Sequence, residues 1–226
     1  GAGAAGLAIA RTFIGTATKV CLIESGGLAG EEANQALYQG TSIGSPEFDP
    51  GISRMRVFGG SCNLWGGGCI PIGKLEAREW VPDSHWPIAY EDLEPYYRHA
   101  RDFCHLPAHE FVEDSFLTPP NVAPLAFDAS SVVNKTFAYS PVMFGDTYRM
   151  DLEQSPNITI LLYANLLELD ASTGGAAIHR ARIGTLEGRT GSVRAKQYVL
   201  ACGGIDNARL LLISDSAASN GLGNQN

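Results

Sequence analysis

The sequence is short of positive charge and has no long hydrophobic run. Its 226 residues carry 16 Lys and Arg against 24 Asp and Glu, which gives a formal net charge of −8. Nucleic-acid binding needs clustered basic residues that neutralise phosphates, so the acidic balance argues against a nucleic-acid partner. No stretch approaches the roughly 18 consecutive apolar residues of a membrane-spanning helix. The sequence therefore predicts a globular chain with neither a nucleic-acid partner nor a membrane span.

The sequence also lacks a paired cysteine framework. The five cysteines are an odd number and are spread along the chain without a Cys-x-x-Cys pair. This pattern predicts isolated thiols rather than a disulfide framework or a redox pair. A bridge between Cys62 and Cys69, across a glycine-rich turn, remains an alternative.

A metal cluster could be drawn from Cys104, His105 and His109. However, Pro107 interrupts the helical register that the two histidines would need, and no second pair of ligands follows. We therefore predict no metal site.

Glycine, by contrast, is abundant, with 26 residues or about 11.5% of the chain against the usual ~7%. The first cluster places Gly1, Gly3 and Gly6 immediately before a helical pattern that runs to Ile14. This spacing is typical of a dinucleotide-binding turn, in which the backbone approaches a pyrophosphate at the N-terminus of a helix.

A short apolar run from Lys19 to Glu24 has the length of a strand, and its terminal acid lies 24 − 6 = 18 residues after Gly6. A carboxylate there can accept hydrogen bonds from both ribose hydroxyls of an adenosine. Helix followed by strand is the second half of a β-α-β unit, whose first strand would precede Gly1. We therefore expect a site for an ADP-containing dinucleotide, NAD or FAD, in a segment of a longer chain.

The remainder of the chain shows further regular elements. Residues from Tyr90 to Phe103 repeat apolar side chains at helical spacing, and residues from Asp206 to Ile213 give a second helical pattern. From Asn157 onward, strand-like segments alternate with glycine-containing turns. The last of these strands is predicted over residues 198–201, where it would rejoin the main sheet.

Four motifs, in the same order, resemble the glucose–methanol–choline (GMC) oxidoreductases. They are Gly1-Ala-Gly-Ala-Ala-Gly6 with Glu24-Ser-Gly-Gly27, Arg56-Val-Phe-Gly-Gly-Ser-Cys-Asn-Leu-Trp-Gly-Gly67, His85-Trp-Pro-Ile88 leading into Glu91-Asp-Leu-Glu-Pro-Tyr-Tyr97, and Leu200-Ala-Cys-Gly-Gly-Ile-Asp-Asn-Ala-Arg-Leu-Leu-Leu212. The chain is most similar to the sugar and polyol dehydrogenase and pyranose-oxidase side of that family.

The resemblance implies FAD, with the first glycine turn at the pyrophosphate and Glu24 at the adenosine ribose. It also implies that the loop from Gly59 to Gly67 follows the pyrophosphate and the isoalloxazine, with Asn63 near the flavin. Leu166 matches a position whose backbone meets the adenine. The implied cofactor-binding residues are Gly1, Gly3, Ala5, Gly6, Glu24, Ser25, Arg56, Gly59, Gly60, Ser61, Asn63, Trp65, Gly66, Gly67, Leu166, Ala201 and Gly203.

The resemblance further implies oxidation of a CH–OH group of a sugar, polyol or other alcohol, with hydride transfer to flavin N5. Some relatives bond the flavin covalently to a His before the Trp; Leu64 stands there, so we predict non-covalent FAD. The family's proton-accepting His lies in a C-terminal substrate domain, and none of the five histidines here matches it. We therefore assign no catalytic residue, and the electron acceptor (oxygen, quinone or cytochrome) stays open.

The predicted fold class is α/β, a Rossmann-like FAD-binding domain with a β-rich crossover and part of a substrate-side insertion. The expected divisions are residues 1–74, 75–156 and 157–226, with the catalytic C-terminal domain absent. Two alternatives remain, namely a flavin-binding segment without catalytic activity and another Rossmann-type flavoprotein. Glycosylation sequons at Asn134 and Asn157 matter only in a secreted eukaryotic protein.

Overall fold

The computed structural model describes residues 1–44, 49–72, 86–106, 126–128, 131–132, 137–173 and 175–223. The chain forms two compact units. The first combines Gly1–Leu64 with Met143–Asn226, and the second is Trp65–Val142. The domain boundaries that the sequence predicts after residues 74 and 156 stay a prediction. His85, His109 and Asn134 lie outside the described residues.

The structure is an α/β protein. Its helices and strands are, in chain order, α1 (Ala4–Thr12), β1 (Val20–Ile23), α2 (Glu32–Gln35), β2 (Gly68–Cys69), α3 (Tyr90–Phe103), β3 (Ala138–Tyr139), α4 (Phe144–Glu153), β4 (Ile158–Leu161), β5 (Asn165–Ala171), β6 (Ile178–Gly184), β7 (Thr190–Val193) and α5 (Gly204–Ile213). Short 3-10 turns cover Ala36–Tyr38 and Gly60–Asn63. None of the helices in the described ranges is long and apolar enough to cross a membrane.

The first unit begins with the helix-then-strand order that the sequence predicts, which is confirmed. Helix α1 buries Leu7 and Ala10 and packs against α4, while β1 pairs in parallel with β4. The register places Val20 opposite Ile158. The side-chain amide of Asn157 donates to the carbonyl oxygens of Phe13 (2.8 Å) and Thr18 (2.7 Å), and so ties β4 to the connection between α1 and β1.

The second sheet of the first unit is antiparallel, in the order β5-β6-β7. A three-stranded sheet is predicted in this stretch and is found here, while its role as a crossover stays a prediction. Leu169, Ala181 and Leu222 form its buried cluster, and α5 packs on β5. Two ion pairs also join β5 to β6, because Arg180 pairs with Asp170 and Arg182 pairs with Glu168 at 2.6 Å.

The strand predicted over residues 198–201 is wrong. These residues carry no strand assignment, and no strand in the described part of the chain pairs with them. The segment is held instead by side chains, because the Asn207 amide donates to the Leu200 carbonyl oxygen at 3.2 Å and accepts from the Cys202 amide at 2.9 Å. A strand requires a hydrogen-bonded neighbour, which alternating side chains cannot supply on their own.

The second unit contains α3, which confirms the predicted helix, and the short antiparallel pair β2 and β3. Asp92 caps the start of α3 by accepting a hydrogen bond from the Ala89 amide at 2.8 Å. Gly67 adopts a φ of +78°, and a Cβ there would lie 2.3 Å from the Ser140 carbonyl oxygen. The Ser140 amide donates to the Gly67 carbonyl oxygen at 2.8 Å, which joins the two segments of this unit.

Candidate functional site

The first glycine turn leads directly into α1. Gly3 is the N-cap residue in an extended conformation, and no side chain caps the helix. The first amide groups of α1 therefore have no intrahelical acceptor, which is the arrangement that favours an anion at a helix N-terminus. Gly6 is required by packing, since a Cβ there would lie 1.9 Å from the Gly1 carbonyl oxygen. Ala5 is exposed on the first turn.

The acid that ends the first strand is folded back onto this turn. Glu24 is buried, with 6% of its surface exposed. One carboxylate oxygen accepts from the Ala2 amide at 2.7 Å, and the other accepts from the Gly26 amide at 3.0 Å. Each oxygen keeps a second acceptor direction, so the carboxylate can hold the turn and also accept a ribose hydroxyl.

The second glycine cluster crosses the first at very short range. The Gly59 amide donates to the Ala2 carbonyl oxygen at 2.9 Å, and Gly3 and Gly59 form a parallel β-bridge. Gly60 has a φ of +63°, and a Cβ there would lie 2.9 Å from the Cα of Gly3. The two backbones therefore pack directly against each other at the start of α1, which requires glycine at position 60.

Polar side chains close the second loop on itself. The Asn63 amide nitrogen donates to the carbonyl oxygens of Phe58 (3.2 Å) and Gly60 (2.9 Å). The Ser61 hydroxyl accepts from the Met55 amide at 3.1 Å. Asn63 therefore shapes the loop through its nitrogen, a role that its predicted place near the flavin did not include.

Arg56 connects the loop to both ends of the unit. Its guanidinium donates to the Ser25 hydroxyl oxygen at 2.8 Å and lies 3.4 Å from a carboxylate oxygen of Asp206, and the Ser25 hydroxyl donates in turn to the Asn165 side-chain oxygen at 2.6 Å. The Arg56 side chain is 9% exposed. Its Nε is buried without a hydrogen-bond partner.

Asp206, in the first turn of α5, is the centre of a basic cluster. Its carboxylate also accepts from Arg54 at 2.7 Å and from Arg209 at 2.9 Å, while only 6% of the side chain is exposed. The guanidinium carbons of Arg54 and Arg56 lie 3.9 and 4.1 Å from the centre of the Tyr38 ring. Three arginines against one aspartate give the cluster an excess of positive charge beside Glu24.

The phenol of Tyr38 responds to this environment. Burial raises the pKa of Tyr38 above its ordinary value, and the neighbouring guanidinium of Arg56 opposes that rise. Asp206 raises the pKa further, Arg54 lowers it, and Glu24 adds a smaller upward contribution. The charges of Arg54, Arg56 and Asp206 therefore act on this phenol more strongly than the charge of Glu24 does.

One groove of about 1650 Å³ in the first unit brings most of the predicted site together. From the sequence-predicted set, its walls include Gly1, Gly3, Ala5, Gly6, Glu24, Ser25, Arg56, Gly60, Ser61, Leu166, Ala201 and Gly203. Leu166 packs its side chain against the cluster of the three-stranded sheet, and Gly203 is the N-cap of α5 with a φ of +85°. Trp65, Gly66 and Gly67 belong to the second unit.

Four residues of the polar network escape the sequence prediction: Tyr38, Arg54, Asn165 and Asp206. Two of them have a local signal in the sequence. Arg54 lies two residues before Arg56, and Asp206 lies within the motif from Leu200 to Leu212. Their joint role depends on contacts between residues up to 152 positions apart, which no local pattern displays.

Neither a protein-family model nor a curated protein sequence gives a significant match to this chain. Solved structures do match. A crystal structure of formate oxidase aligns with 94% of this chain and 46% of its own, at 13% identity and a TM-score of 0.50. A formate oxidase of Aspergillus oryzae RIB40, studied for the effect of a mutation on FAD modification, aligns over the same shares at 13% identity and a TM-score of 0.51.

This chain spans about half the length of these formate oxidases. At 13% identity the likeness shows a common fold. The chain therefore shares its α/β fold with part of formate oxidase. One of these two formate oxidase structures concerns the modification of FAD in that enzyme.

Proposed function

We propose that this chain is the FAD-binding portion of an FAD-dependent oxidoreductase that acts on CH–OH groups of sugars, polyols or other alcohols. The observation that carries the proposal is the crossing of Gly3 and Gly60 beside the buried carboxylate of Glu24. Backbone without side chains, free helix amides and a carboxylate are the three features that bind the ADP half of a dinucleotide. The common fold with formate oxidase agrees with the GMC resemblance at the level of fold.

The residues present fit FAD on two further counts. Gly3 and Gly60 both line the groove, and glycine at position 60 lets the two backbones lie together there, because any Cβ on Gly60 would lie 2.9 Å from the Gly3 Cα. The buried Nε of Arg56 lacks a partner, and a ligand oxygen is the kind of acceptor that would satisfy it. FAD supplies hydride acceptance when bound, while this chain's residues bind and orient its adenosine and pyrophosphate.

The first test measures cofactor affinity rather than turnover. FAD and FMN are titrated into the purified chain, and binding is followed by flavin fluorescence. We expect FAD to bind and FMN to bind far more weakly, because the glycine turn and Glu24 contact the ADP half that FMN lacks. Glu24→Gln should weaken FAD binding by about 10- to 100-fold, because a hydrogen bond to a charged acceptor contributes roughly 1.5–3 kcal/mol.

The matched control is Glu153→Gln, which changes an exposed glutamate of α4 paired with Arg149 at 3.8 Å. It should leave the FAD affinity as in the parent. Equal affinity of the parent for FAD and FMN would contradict recognition of the ADP half. Flavin that stays with the protein after acid precipitation would contradict the proposed non-covalent attachment.

The substrate is tested by anaerobic reduction of the bound flavin with aldoses, polyols and simple alcohols, with formate included because of the structural neighbours. Bleaching by an alcohol or sugar would support the proposed reaction, and bleaching by formate alone would contradict the CH–OH assignment. The electron acceptor would then be sought among oxygen, quinones and cytochromes.

A second candidate, flavin binding without catalysis by these residues, is favoured by one observation. Among the described residues that line the groove, none is a histidine. FAD binding without reduction by any member of the panel would support this candidate. Loss of both FAD binding and reduction would contradict both candidates, and NAD titration would then test for the other dinucleotide that the glycine turn allows.

A further inference from the structure

Tyr163, two residues beyond β4, has a backbone conformation that is rare for a bulky side chain. Its φ is +56°, in the left-handed region that favours glycine. Among the residues that the structure describes, only His105 is a second residue other than glycine with a positive φ. Conformations of this kind persist where the surrounding contacts hold them, and they are concentrated at functional sites. The contacts of Tyr163 are with residues 24–27, which we call the acid loop because Glu24 begins it.

Tyr163 adds one residue to the pairing between β1 and β4. The Glu24 amide donates to the Leu161 carbonyl oxygen at 2.8 Å, and in regular parallel pairing the Glu24 carbonyl oxygen would then accept from residue 163. It accepts instead from the Ala164 amide at 2.9 Å, while the Tyr163 amide donates to the Gly26 carbonyl oxygen at 3.2 Å. The main chain of the acid loop is therefore held at two points by Tyr163 and its neighbour.

The phenol ring of Tyr163 covers the end of the acid loop. A Cβ on Gly27 would lie 2.1 Å from the Tyr163 hydroxyl oxygen and 2.5 Å from the ring carbon that carries it. The acid loop also contacts the second glycine-rich segment, because the Phe58 amide donates to the Gly27 carbonyl oxygen at 2.9 Å. A Cβ on Gly26 would lie 2.1 Å from the Arg56 carbonyl oxygen. The loop is thus held both by Tyr163 and by the segment that contains Arg56.

The Tyr163 hydroxyl fixes the ring in this place. It donates to one carboxylate oxygen of Glu31 at 2.8 Å, and the other carboxylate oxygen accepts from the Asn34 side-chain amide at 2.7 Å. Asn34 is 3% exposed, so Glu31 is itself tied to a buried side chain. The hydrogen bond to Glu31 raises the pKa of Tyr163, because it stabilises the neutral phenol. At neutral pH the phenol therefore keeps its proton and donates this bond, and the ring stays on Gly27.

We propose that Tyr163 is a positioning residue that holds the acid loop and thereby directs the Glu24 carboxylate toward the ribose of the cofactor. Tyr163 lies outside the walls of the groove, so it acts through the loop. The loop keeps Glu24 where its carboxylate accepts from the Ala2 and Gly26 amides. A carboxylate that is already ordered binds a ribose without a further ordering cost, which favours binding. The inference rests on the proposed function, because that function assigns Glu24 to the ribose.

The test compares two variants of Tyr163 with the parent chain. Tyr163→Phe keeps the ring and loses the bond to Glu31, whereas Tyr163→Asn removes the ring but accepts a left-handed backbone more readily. The matched control is Tyr139→Phe, which removes the hydroxyl of an exposed tyrosine in β3 of the second unit. FAD and FMN affinities are measured by flavin fluorescence. Hydrogen exchange of the Gly26 amide, which donates to Glu24 at 3.0 Å, is measured by NMR without flavin.

We expect Tyr163→Phe to weaken FAD binding by about 3- to 10-fold, the range that the net contribution of one hydrogen bond implies. FMN affinity should stay as in the parent, because FMN lacks the ADP half that Glu24 contacts. Tyr163→Asn should weaken FAD binding at least as much as Tyr163→Phe does. The Gly26 amide should exchange faster in both variants, since its acceptor is less well held. Tyr139→Phe should match the parent in every measurement.

A double-mutant cycle shows whether Tyr163 acts through Glu24. In the Glu24→Gln background, Tyr163→Phe should change FAD affinity by less than about twofold, because the carboxylate that Tyr163 positions is already lost. A role in stability alone would give the same fold-change in both backgrounds.

Unchanged FAD affinity in either Tyr163 variant would overturn the inference, as would an equal loss of FAD and FMN affinity. Equal fold-changes in the two backgrounds of the cycle would overturn it as well, and so would exchange of the Gly26 amide that is no faster in Tyr163→Phe than in the parent. No FAD binding by the parent chain would contradict the proposed function instead. Faster exchange in Tyr163→Phe would then still support Tyr163 as the residue that holds the acid loop.

Discussion

At the residue scale, two neighbouring glycines, Gly59 and Gly60, stand where an added Cβ atom would collide with other parts of the protein. Gly59 and Gly60 both have positive φ, yet they meet different obstacles. A Cβ on Gly59 would meet the Asn63 side-chain nitrogen at 2.8 Å and the Gly145 amide nitrogen at 3.0 Å, whereas a Cβ on Gly60 would meet the Cα of Gly3 at 2.9 Å. Backbone atoms that start a helix cannot turn away as a side chain can. Gly59 is therefore held against α4, and Gly60 is held against the turn that starts α1.

Gly60→Ala should destabilise the chain and weaken FAD binding. The matched control is Gly188→Ala, because Gly188 has a φ of +81° and nothing within 4 Å of its Cβ position. Both substitutions carry the left-handed backbone cost of roughly 1–2 kcal/mol, so the difference between them isolates the crossing. Urea denaturation and FAD titration check this, and equal effects of the two variants on FAD affinity would contradict it.

Tyr38 gives the site a signature at alkaline pH. Its folded pKa is raised, chiefly by burial, so the unfolded chain ionises first as the pH increases. The stability associated with the neutral phenol is therefore complete below the ordinary tyrosine pKa of about 10 and is lost above it.

Tyr38→Phe keeps the ring that stacks on the two arginines and removes the titrating hydroxyl. We expect its free energy of unfolding to fall less steeply than that of the parent between pH 9 and about 11, measured by urea denaturation at each pH. Parallel pH profiles for the two proteins would refute the assignment.

At the scale of elements, hydrophobic periodicity was sufficient for α1, α3 and the strands β4 to β6. Each of these segments carries its own repeat, so a window of ten residues predicts it. Residues 198–201 have equally strand-like side chains but no paired neighbour, and for that reason they form no strand. The polar network around Asp206 was beyond prediction for a related cause, since its partners are distant in sequence.

Asn157 is the side chain that fixes the relation of β4 to α1. It begins a sequon, but its amide nitrogen already donates to the carbonyl oxygens of Phe13 and Thr18. Asn157→Asp removes both donors and should lower the free energy of unfolding by about 2 kcal/mol, because two acceptors lose their partners.

The control for Asn157 is Asp151→Asn, which alters an exposed side chain of α4 that lies 3.6 Å from Arg11. Surface ion pairs contribute about 0–1 kcal/mol, so this variant should unfold almost as the parent does. Chemical denaturation of both variants measures the difference, and similar losses would argue against the role of the Asn157 amide.

At the scale of the whole first unit, one carboxylate connects segments that are far apart along the chain. Asp206 joins α5 to Arg54 and Arg56, 152 and 150 residues earlier. Asp206→Asn should therefore lower the free energy of unfolding by about 3–5 kcal/mol, because breaking a buried ion pair leaves uncompensated charge.

Arg209→Gln is the comparison for Asp206, since the Arg209 side chain is 47% exposed and its contact is local to α5. It should cost no more than about 1 kcal/mol. Urea denaturation of both variants measures the difference in the free energy of unfolding. If Asp206→Asn lowers the free energy of unfolding no more than Arg209→Gln does, the buried network contributes little to stability.

The contact between the second glycine loop and α4 also bears on how such a chain can change over evolution. A Cβ on Gly59 would lie 3.0 Å from the amide nitrogen of Gly145, so the two segments of the first unit that flank residues 65–142 touch each other. A polypeptide that departs and returns at neighbouring points can exchange the intervening stretch for another of different length with little effect on the scaffold. The first unit and the stretch between its two segments are thus free to diversify at separate rates.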